Sequence, residues 1–259
     1  MIAEPDPSAA DLERRFGASR RLYGEEGYAR IRNGVVGVVG RGGGGSWTAE
    51  ALARSGVAAL VLFDLDHVAE SNINRQVQAL GSTLGQAKVQ ALAQRIADIH
   101  PGCAVHAVED FVEPGNWPGL LPRSVDVLID ACDQVQSKLT LAEWSLQRQV
   151  PLVCVGAAGG KRRGDQVAVD DLCAVTHDPL LASLRRQLRQ RGAPRLGPIG
   201  VRCVYVREPV HRPADGAREA PAPGSALACA GYGSSVVVTA SCGLVAAGEA
   251  LALLTARGG

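Results

Sequence analysis

The chain has 259 residues, of which 46% are hydrophobic, enough to bury a sizeable core in one large domain. Its 27 lysines and arginines nearly balance 26 aspartates and glutamates, and a net charge of +1 excludes a global attraction to nucleic acid. The seven cysteines form no CxxC pair, which disfavours a structural zinc site and indicates reduced thiols. The polar, acidic start (MIAEPDPSAADLERR) disfavours a signal peptide, so we expect a cytoplasmic protein.

The first half of the chain alternates between strand and helix patterns. A helical arm is expected over 1–33, and the valines at 35–39 predict a strand buried on both faces. Ser46 is the expected N-cap of the next helix, and Gly56 is its expected stop. The remaining elements predicted up to residue 160 are strands within 58–66, 103–110, 125–133 and 151–160 and helices from Gly85 and over 136–149.

The second half has a looser pattern. Strands are expected at 165–171 and 200–208, with a basic amphipathic helix at 178–192 between them. The apolar run at 236–254 contains Ser, Gly and Glu, so a buried helix is expected there and stable membrane insertion is not. A segment rich in Pro, Ala and Gly at 209–226 is expected to be a loop.

This order of elements predicts an α/β fold with a Rossmann-like, doubly wound, mostly parallel sheet. A C-terminal extension of mixed strands and a buried apolar helix completes it. We expect three parts: an arm at 1–33, a nucleotide-binding region at 34–160, and a substrate-binding and dimerisation extension of the same domain at 161–259.

Glycines follow the first predicted strand and predict a phosphate site. Gly40, Gly42 and Gly45 form GxGxxG, and Asp64 ends the next strand. Backbone N–H groups at a helix N-terminus hold phosphate, while the acid binds ribose hydroxyls. This loop does not distinguish the pyrophosphate of NAD from the triphosphate of ATP, and glycines also serve tight turns alone.

The residues after Asp64 favour the triphosphate. Nucleotidyl transfer concentrates charge that fixed cations and a magnesium carboxylate neutralise. Arg75 and Lys88 are the candidate cations. Asp133, just past the end of a strand, is the candidate Mg²⁺ ligand. Arg75 and Lys88 are also compatible with ordinary solvated surface residues when each is taken alone, but the combination at this spacing favours ATP.

This set resembles the ubiquitin-activating-enzyme-like adenylating proteins. The matching stretches are GRGGGG (40–45), Asp64, NINRQ (72–76), Lys88 and Asp133. The resemblance implies ATP and Mg²⁺ as cofactors and an N-terminal arginine that enters the partner's site in a homodimer. By that resemblance Arg21, or else Arg20, is this arginine. The resemblance also implies four catalytic residues, of which Asp133 binds the metal: Arg75, Lys88, Asp133 and Arg21. The residues that it implies for nucleotide binding are Gly40, Gly42, Gly43, Gly45, Asp64, Asn72, Arg75, Gln76 and Lys88. Arg41 departs from the family pattern, in which this position is small or aliphatic.

The resemblance is closer to the bacterial tRNA threonylcarbamoyladenosine dehydratases. It rests on RFGASRRLYGEEG, GSWTAEALARSG, SNINRQ, VPLVCVGAAGG, the 178–192 helix and CAGYGSS. It implies an enzyme that uses ATP to activate the threonyl carboxylate of a modified adenosine beside the tRNA anticodon and closes it onto its own ureido group. Since the nucleophile is tethered, no thioester cysteine is required, and Cys229 is expected to be structural. A cysteine desulfurase or sulfur-acceptor system is a further possible partner.

Two basic clusters are candidate contacts for the tRNA. They follow predicted strands of the nucleotide region, although each is also compatible with a solvated face. Their members are Lys161, Arg162, Arg163, Arg185, Arg186 and Arg189. Three alternative functions stay open at this point: an activator of a ubiquitin-like sulfur carrier, a non-catalytic nucleotide-binding homologue and a nicotinamide oxidoreductase.

Overall fold

A computed structural model describes residues 11–40, 42–212 and 232–256. Arg41, Cys229 and most of the 209–226 segment therefore lie outside the described residues. The helices are α1 (Leu12–Asn33), α2 (Gly43–Ser55), α3 (Lys88–Ile99), α4 (Val135–Arg148), α5 (Pro179–Gln190) and α6 (Val236–Ala256). The strands are β1 (Val35–Val39), β2 (Ala59–Phe63), β3 (Ala104–Val108), β4 (Val127–Asp130), β5 (Leu152–Val155), β6 (Val167–Asp171) and β7 (Arg202–Val206).

The strands form one seven-stranded sheet in the order β3-β2-β1-β4-β5-β7-β6. All neighbours are parallel except β6, which pairs antiparallel with β7 at the edge. The predicted fold class is therefore confirmed, including the mixed strands of the C-terminal part. Because β1 is central and parallel to β2 and β4, the loops after these three strands meet at one edge of the sheet.

Both faces of the sheet are covered, as the valine-rich β1 predicts. Val36 and Val38 belong to a core shared with α2, α3 and α6, whereas Val35 and Val39 belong to a core shared with α4 and α5. Successive strand residues point to opposite faces, so every side chain of a strand that is buried on both sides must be apolar.

Helix α6 packs mainly on α2 and also contacts α1 and the sheet. Among the described helices it alone is long and apolar enough to cross a membrane, and 44% of its apolar window is buried inside the protein. Small residues make the contact close: a Cβ on Gly243 would lie 2.7 Å from Cβ of Trp47. The run at 236–254 is thus a helix partly buried against α2.

The start of α2 differs from the sequence prediction. The helix begins at Gly43 with Gly42 in the N-cap position, so the assignment of Ser46 as N-cap was wrong. Ser46 lies inside the first turn, where its hydroxyl donates to the Gly43 carbonyl (3.0 Å) and accepts from the Val77 N–H (3.3 Å). The predicted stop is correct, because Gly56 adopts φ +85° and caps the helix.

Candidate nucleotide-binding and active site

The glycine loop joins β1 to α2, and its glycines meet different demands. Gly40 has φ +83°, and a Cβ there would lie 2.8 Å from the backbone nitrogen of Cys132. A Cβ on Gly45 would overlap the Gly40 carbonyl oxygen, and one on Gly43 would overlap the Thr239 side chain. Gly42 differs, since nothing lies within 4 Å of its Cβ position. The loop is therefore packed on the protein side and open at Gly42.

The open side of the loop is the N-terminus of α2. No side chain of a described residue caps this end, and the first turn carries no acidic residue. The first N–H groups of a helix have no intrahelical acceptor and carry the positive end of the helix dipole. This end of α2 can therefore bind an anion such as a phosphate.

Asp64 lies beside the loop at the end of β2. The residue is 7% exposed, and its carboxylate accepts the Asp66 N–H at 2.9 Å. The preceding residue, Phe63, accepts the Gly40 N–H through its carbonyl at 3.0 Å. The glycine loop and Asp64 are thus held side by side, as ribose and phosphate binding by one nucleotide requires.

The NINRQ segment is anchored to α2 and α6 through its backbone. The Arg75 carbonyl accepts hydrogen bonds from Nε1 of Trp47 (3.1 Å) and Oγ1 of Thr239 (3.2 Å). The Asn74 amide donates to the Ser234 carbonyl at 3.0 Å. Two of these bonds, those to Ser234 and Thr239, join residues 160 and 164 positions apart in the chain, so sequence pattern alone does not reveal them.

The side chains of this segment are engaged to different degrees. Asn72 and Gln76 are buried, and each accepts a hydrogen bond: Asn72 from the Ala69 N–H (3.1 Å) and Gln76 from the Gln78 amide (3.0 Å). The Arg75 guanidinium donates to the Asn74 side chain at 2.9 Å. It forms no ion pair with a carboxylate of the described chain, so its charge remains to be balanced.

Lys88 lies at the start of α3 and is paired with a residue that the sequence analysis missed. Its ammonium is 2.7 Å from Oδ2 of Asp66, and its N–H donates to the Asp66 carbonyl. The Lys88 side chain is 7% exposed and that of Asp66 is 52% exposed. The DLD repeat at 64–66 is the sequence signal that could have identified Asp66.

Asp133 follows β4 and is half-buried. Burial raises the pKa of its carboxyl, the charge of Lys138 opposes this, and the negative charges of Asp66 and Asp64 raise it further. Three carboxylates thus influence one another at this edge. No group of three or more His, Cys, Asp or Glu in the described part of the chain forms a protein-only metal site. Mg²⁺ commonly uses one or two carboxylates plus substrate phosphates, and a single Asp133 ligand fits that pattern.

A second missed residue, Lys138, lies beneath Asp133. Its ammonium is fully buried, 3.1 Å from Oδ2 of Asp130, and donates to the Val155 carbonyl at 2.8 Å. The Asp130 carboxylate also accepts the Cys132 N–H at 3.1 Å. This network ties the ends of β4 and β5 together and supports the loop that carries Asp133. The sequence signal was the proximity of Lys138 to DACD on the following helix.

The two arginines considered for the partner's site differ in their contacts. Arg20 pairs with Glu13 (2.8 Å) and Glu25 (3.5 Å), and its guanidinium stacks on Tyr28. Arg21 is exposed and forms no ion pair with another described residue. Of the two, Arg21 is the one whose guanidinium is not held by a carboxylate among the described residues.

The first basic cluster is divided by the structure. Lys161 is 3% exposed, and its ammonium donates to the carbonyls of His177 (2.7 Å) and Glu208, while burial lowers its pKa. It does not lie on the surface and is unavailable to a tRNA phosphate in this structure. Arg162 and Arg163 are exposed, although Arg163 pairs with Asp165.

The second basic cluster lies on α5, which Asp178 caps through the Leu181 N–H. Arg186 is exposed and donates to the Ser183 hydroxyl at 3.3 Å, and Arg189 is half-buried. Arg185 donates to the carbonyls of Leu172 (3.1 Å) and Val175 (2.8 Å) and thereby holds the loop after β6. The cluster therefore presents fewer available charges than its sequence indicates.

Comparison with known proteins agrees with this geometry. The ThiF family model matches residues 16–259. The chain is 40% identical to the tRNA threonylcarbamoyladenosine dehydratase of Escherichia coli (strain K12) over 94% of each chain. It is 35% identical to the dehydratase of Haemophilus influenzae over 91% of each. The solved structure of the Escherichia coli enzyme in complex with ATP is similar at a TM-score of 0.85 and 37% identity, over 96% of this chain and 97% of that one.

Proposed function

The chain belongs to the ThiF family, and from that premise we propose that it catalyses the ATP-dependent dehydration of N6-threonylcarbamoyladenosine in tRNA. One observation carries the proposal: the glycine loop, Asp64, Arg75, Lys88 and Asp133 converge at one edge of the sheet in a chain that matches such dehydratases over nearly its full length. The activity is that of an adenylating enzyme, in which ATP activates a carboxylate before a nucleophile attacks it.

The chain's own residues bind and orient the nucleotide. We assign the ribose to Asp64 and the phosphates to the N-terminus of α2, with Arg75 and Lys88 as fixed cations that neutralise developing charge. Asp133 would hold Mg²⁺, which supplies further neutralisation when bound. In the reaction, a carboxylate oxygen displaces pyrophosphate at the α-phosphorus, and the ureido group then displaces AMP as the ring closes.

The ring closure needs little from the protein beyond positioning. The ureido group and the carboxyl carbon belong to one substituent, and a well-oriented intramolecular reaction gains roughly 7–11 kcal/mol over its bimolecular counterpart. No enzyme nucleophile is therefore needed. This agrees with the described cysteines near the site, whose raised pKa values disfavour the reactive thiolate. Burial raises the pKa of Cys132, and a hydrogen bond with Cys203, followed by burial, raises that of Cys154.

We further propose that the enzyme acts as a cytoplasmic homodimer. Arg21 is exposed without an ion-pair partner among the described residues, and the outer face of α6 presents Val237 (60% exposed) and Leu244 (53% exposed) seven residues apart. Neighbouring apolar side chains on a helix exterior are typical of an interface. The tRNA surface would include Arg162, Arg163, Arg186 and Arg189, and a sulfur-transfer partner stays a prediction without a supporting contact.

The proposal is tested by incubating the purified protein with ATP, Mg²⁺ and tRNA carrying threonylcarbamoyladenosine, followed by mass spectrometry of the nucleosides. We expect a product lighter by one water, formed with ATP and not with NAD. Loss of the cyclic nucleoside from tRNA of a deletion strain, with the linear form retained, would give the same answer in the cell. If the protein instead adenylated the C-terminus of a sulfur carrier and left the tRNA unchanged, the proposal would be wrong.

A further inference from the structure

A cavity of about 430 Å³ lies beside the NINRQ segment, and of its lining only Arg162 has been assigned a role, as a tRNA contact. Its volume falls within the roughly 300–1,000 Å³ that small-molecule sites occupy. Among the described residues, its lining comes from three segments: Gly160–Arg162 after β5, His211–Arg212 after β7, and Tyr232–Ser235 before α6.

The walls of this cavity are joined by backbone hydrogen bonds. The Gly160 N–H donates to the Gly233 carbonyl (2.9 Å), and the His211 N–H donates to the Gly160 carbonyl (2.8 Å). Gly160 adopts φ +70°, and a Cβ there would lie 2.7 Å from the Val210 side chain. The cavity is therefore a built feature whose central segment requires glycine.

The lining of the cavity is cationic. Arg162 and Arg212 form no ion pair with a carboxylate anywhere in the described ranges, and none of the described lining residues is acidic. The nearby Glu208 is already engaged: it accepts the N–H groups of Arg162 (2.8 Å) and Arg163 (3.0 Å) and pairs with His211 (2.8 Å). Two guanidinium groups are thus left to bind an anion, which they can do through charge-assisted hydrogen bonds.

The same cavity offers an aromatic face and neutral polar groups. The Tyr232 ring is 39% exposed at its rim, next to Ser234 and Ser235. Unstacked bases of RNA bind preferentially by stacking on such aromatic side chains. A ligand that combines a base with an anionic group matches this combination of walls.

The cavity adjoins the reacting end of the nucleotide site. Its wall residue Ser234 accepts a hydrogen bond from Asn74, the neighbour of Arg75. One turn further along α6, Thr239 bonds the Arg75 carbonyl and contacts Gly43 of the glycine loop. The cavity wall and the glycine loop are therefore linked through the NINRQ segment and the start of α6.

We propose that this cavity receives the modified adenine of the tRNA, with the base against Tyr232 and the threonyl carboxylate towards Arg162 and Arg212. The inference rests on the proposed function and adds to it the part of the chain that recognises the substrate. It places the substrate beside the segment that carries Arg75, one of the cations proposed for the ATP phosphates.

The test uses the full chain with a non-hydrolysable ATP analogue at saturation, so that the nucleotide site itself cannot bind the probe. The probes are threonylcarbamoyladenosine, its uncharged methyl ester and anticodon stem-loops with or without the modification. We expect the wild type to bind the carboxylate form about tenfold or more tightly than the ester, since a charge-assisted hydrogen bond is lost with the charge. The variant R162Q/R212Q should bind both forms equally weakly, with unchanged ATP affinity.

Matched variants separate recognition from folding. Arg123→Gln, an exposed arginine ahead of β4 at the opposite edge of the sheet, should leave all affinities unchanged. Tyr232→Phe should retain binding of the base, and Tyr232→Ala should weaken binding of both nucleosides. The proposal is overturned if R162Q/R212Q binds the carboxylate form as tightly as the wild type does. It is also overturned if that variant loses modified and unmodified stem-loops equally, because the arginines would then contact backbone phosphates. Wild-type protein that binds ATP but does not cyclise the tRNA would instead refute the proposed function.

Discussion

Two substitutions in the glycine loop should separate stability from nucleotide binding. Gly40→Ala should lower the free energy of unfolding, whereas Gly42→Ala should weaken ATP binding and leave stability nearly unchanged. Gly40 has φ +83°, where an alanine costs about 1–2 kcal/mol. Its Cβ would lie 2.8 Å from the Cys132 nitrogen and 2.9 Å from the Ala131 carbonyl, and relieving such backbone contacts typically costs a further ~1–3 kcal/mol. Gly40→Ala should thus lower the free energy of unfolding by roughly 2–5 kcal/mol.

Gly42→Ala is the matched control for stability and the probe for binding. Its φ is −59° and nothing lies within 4 Å of the added methyl group, so the folded protein should accommodate alanine with little change in unfolding free energy. The methyl would, however, stand on the open side of the loop, where we place the phosphates. Loss of one charge-assisted contact there would weaken ATP binding about tenfold or more.

Chemical denaturation with ATP absent and calorimetric titration of ATP measure the two effects separately. For a chain of this size, the loss in Gly40→Ala corresponds to a melting temperature lower by roughly 4–20 °C. Wild-type stability of Gly40→Ala would refute the packing argument. Wild-type ATP affinity of Gly42→Ala would show that the phosphates do not approach this side of the loop.

Three further perturbations test other parts of the structure. Lys138→Met should reduce the free energy of unfolding by about 3–5 kcal/mol in urea, because it leaves Asp130 buried without its ion pair, and adding Asp130→Asn should recover part of the loss. Burial, followed by the charges of Arg32 and Arg15, lowers the pKa of His100. The contribution of His100 to stability is therefore present above its unfolded pKa of about 6.5 and lost as the pH falls through the lowered value. His100→Gln should make the free energy of unfolding, measured between about pH 7.5 and 5.5, depend less on pH. Mixing Arg21→Ala with Asp133→Ala chains should restore part of the activity in verified heterodimers, and no recovery would place Arg21 outside the partner's site.

Sequence reasoning identified the elements whose signals are local. The continuous valines of β1 can be buried only within a two-sided sheet, and the leucines of α5 recur at helical spacing behind an Asp178 N-cap, so both elements are described as expected. Candidate residues at strand ends, such as Asp64 and Asp133, were found by the same logic. In a parallel sheet the carboxyl ends of neighbouring strands meet at one edge, which makes their proximity predictable from topology.

The errors and omissions have a common cause in tertiary contacts. Ser46 is a good N-cap by residue type, but its hydroxyl is used by Gly43 and Val77, and α2 starts three residues earlier. Lys161 is basic and follows a glycine turn, but carbonyls from two other segments enclose its ammonium. Thr239 supports the glycine loop from about 200 residues away. No local pattern contains these partners, because each lies on a segment that folding brings in from elsewhere.

The same contacts explain how the two proposed phosphate cations are kept in place before nucleotide binds. Lys88 is nearly buried, and an ammonium without a partner would be costly there, so Asp66 holds it at 2.7 Å. Since the Asp66 side chain is half exposed, it can leave this position for water at little packing cost when a phosphate takes over. Arg75 is held differently, by its carbonyl bonds to Trp47 and Thr239, while its guanidinium stays without a carboxylate in the described chain. A bound triphosphate would therefore replace the partner of Lys88 and supply a partner for Arg75, and Thr239 on α6 would connect that change to the wall of the adjoining cavity.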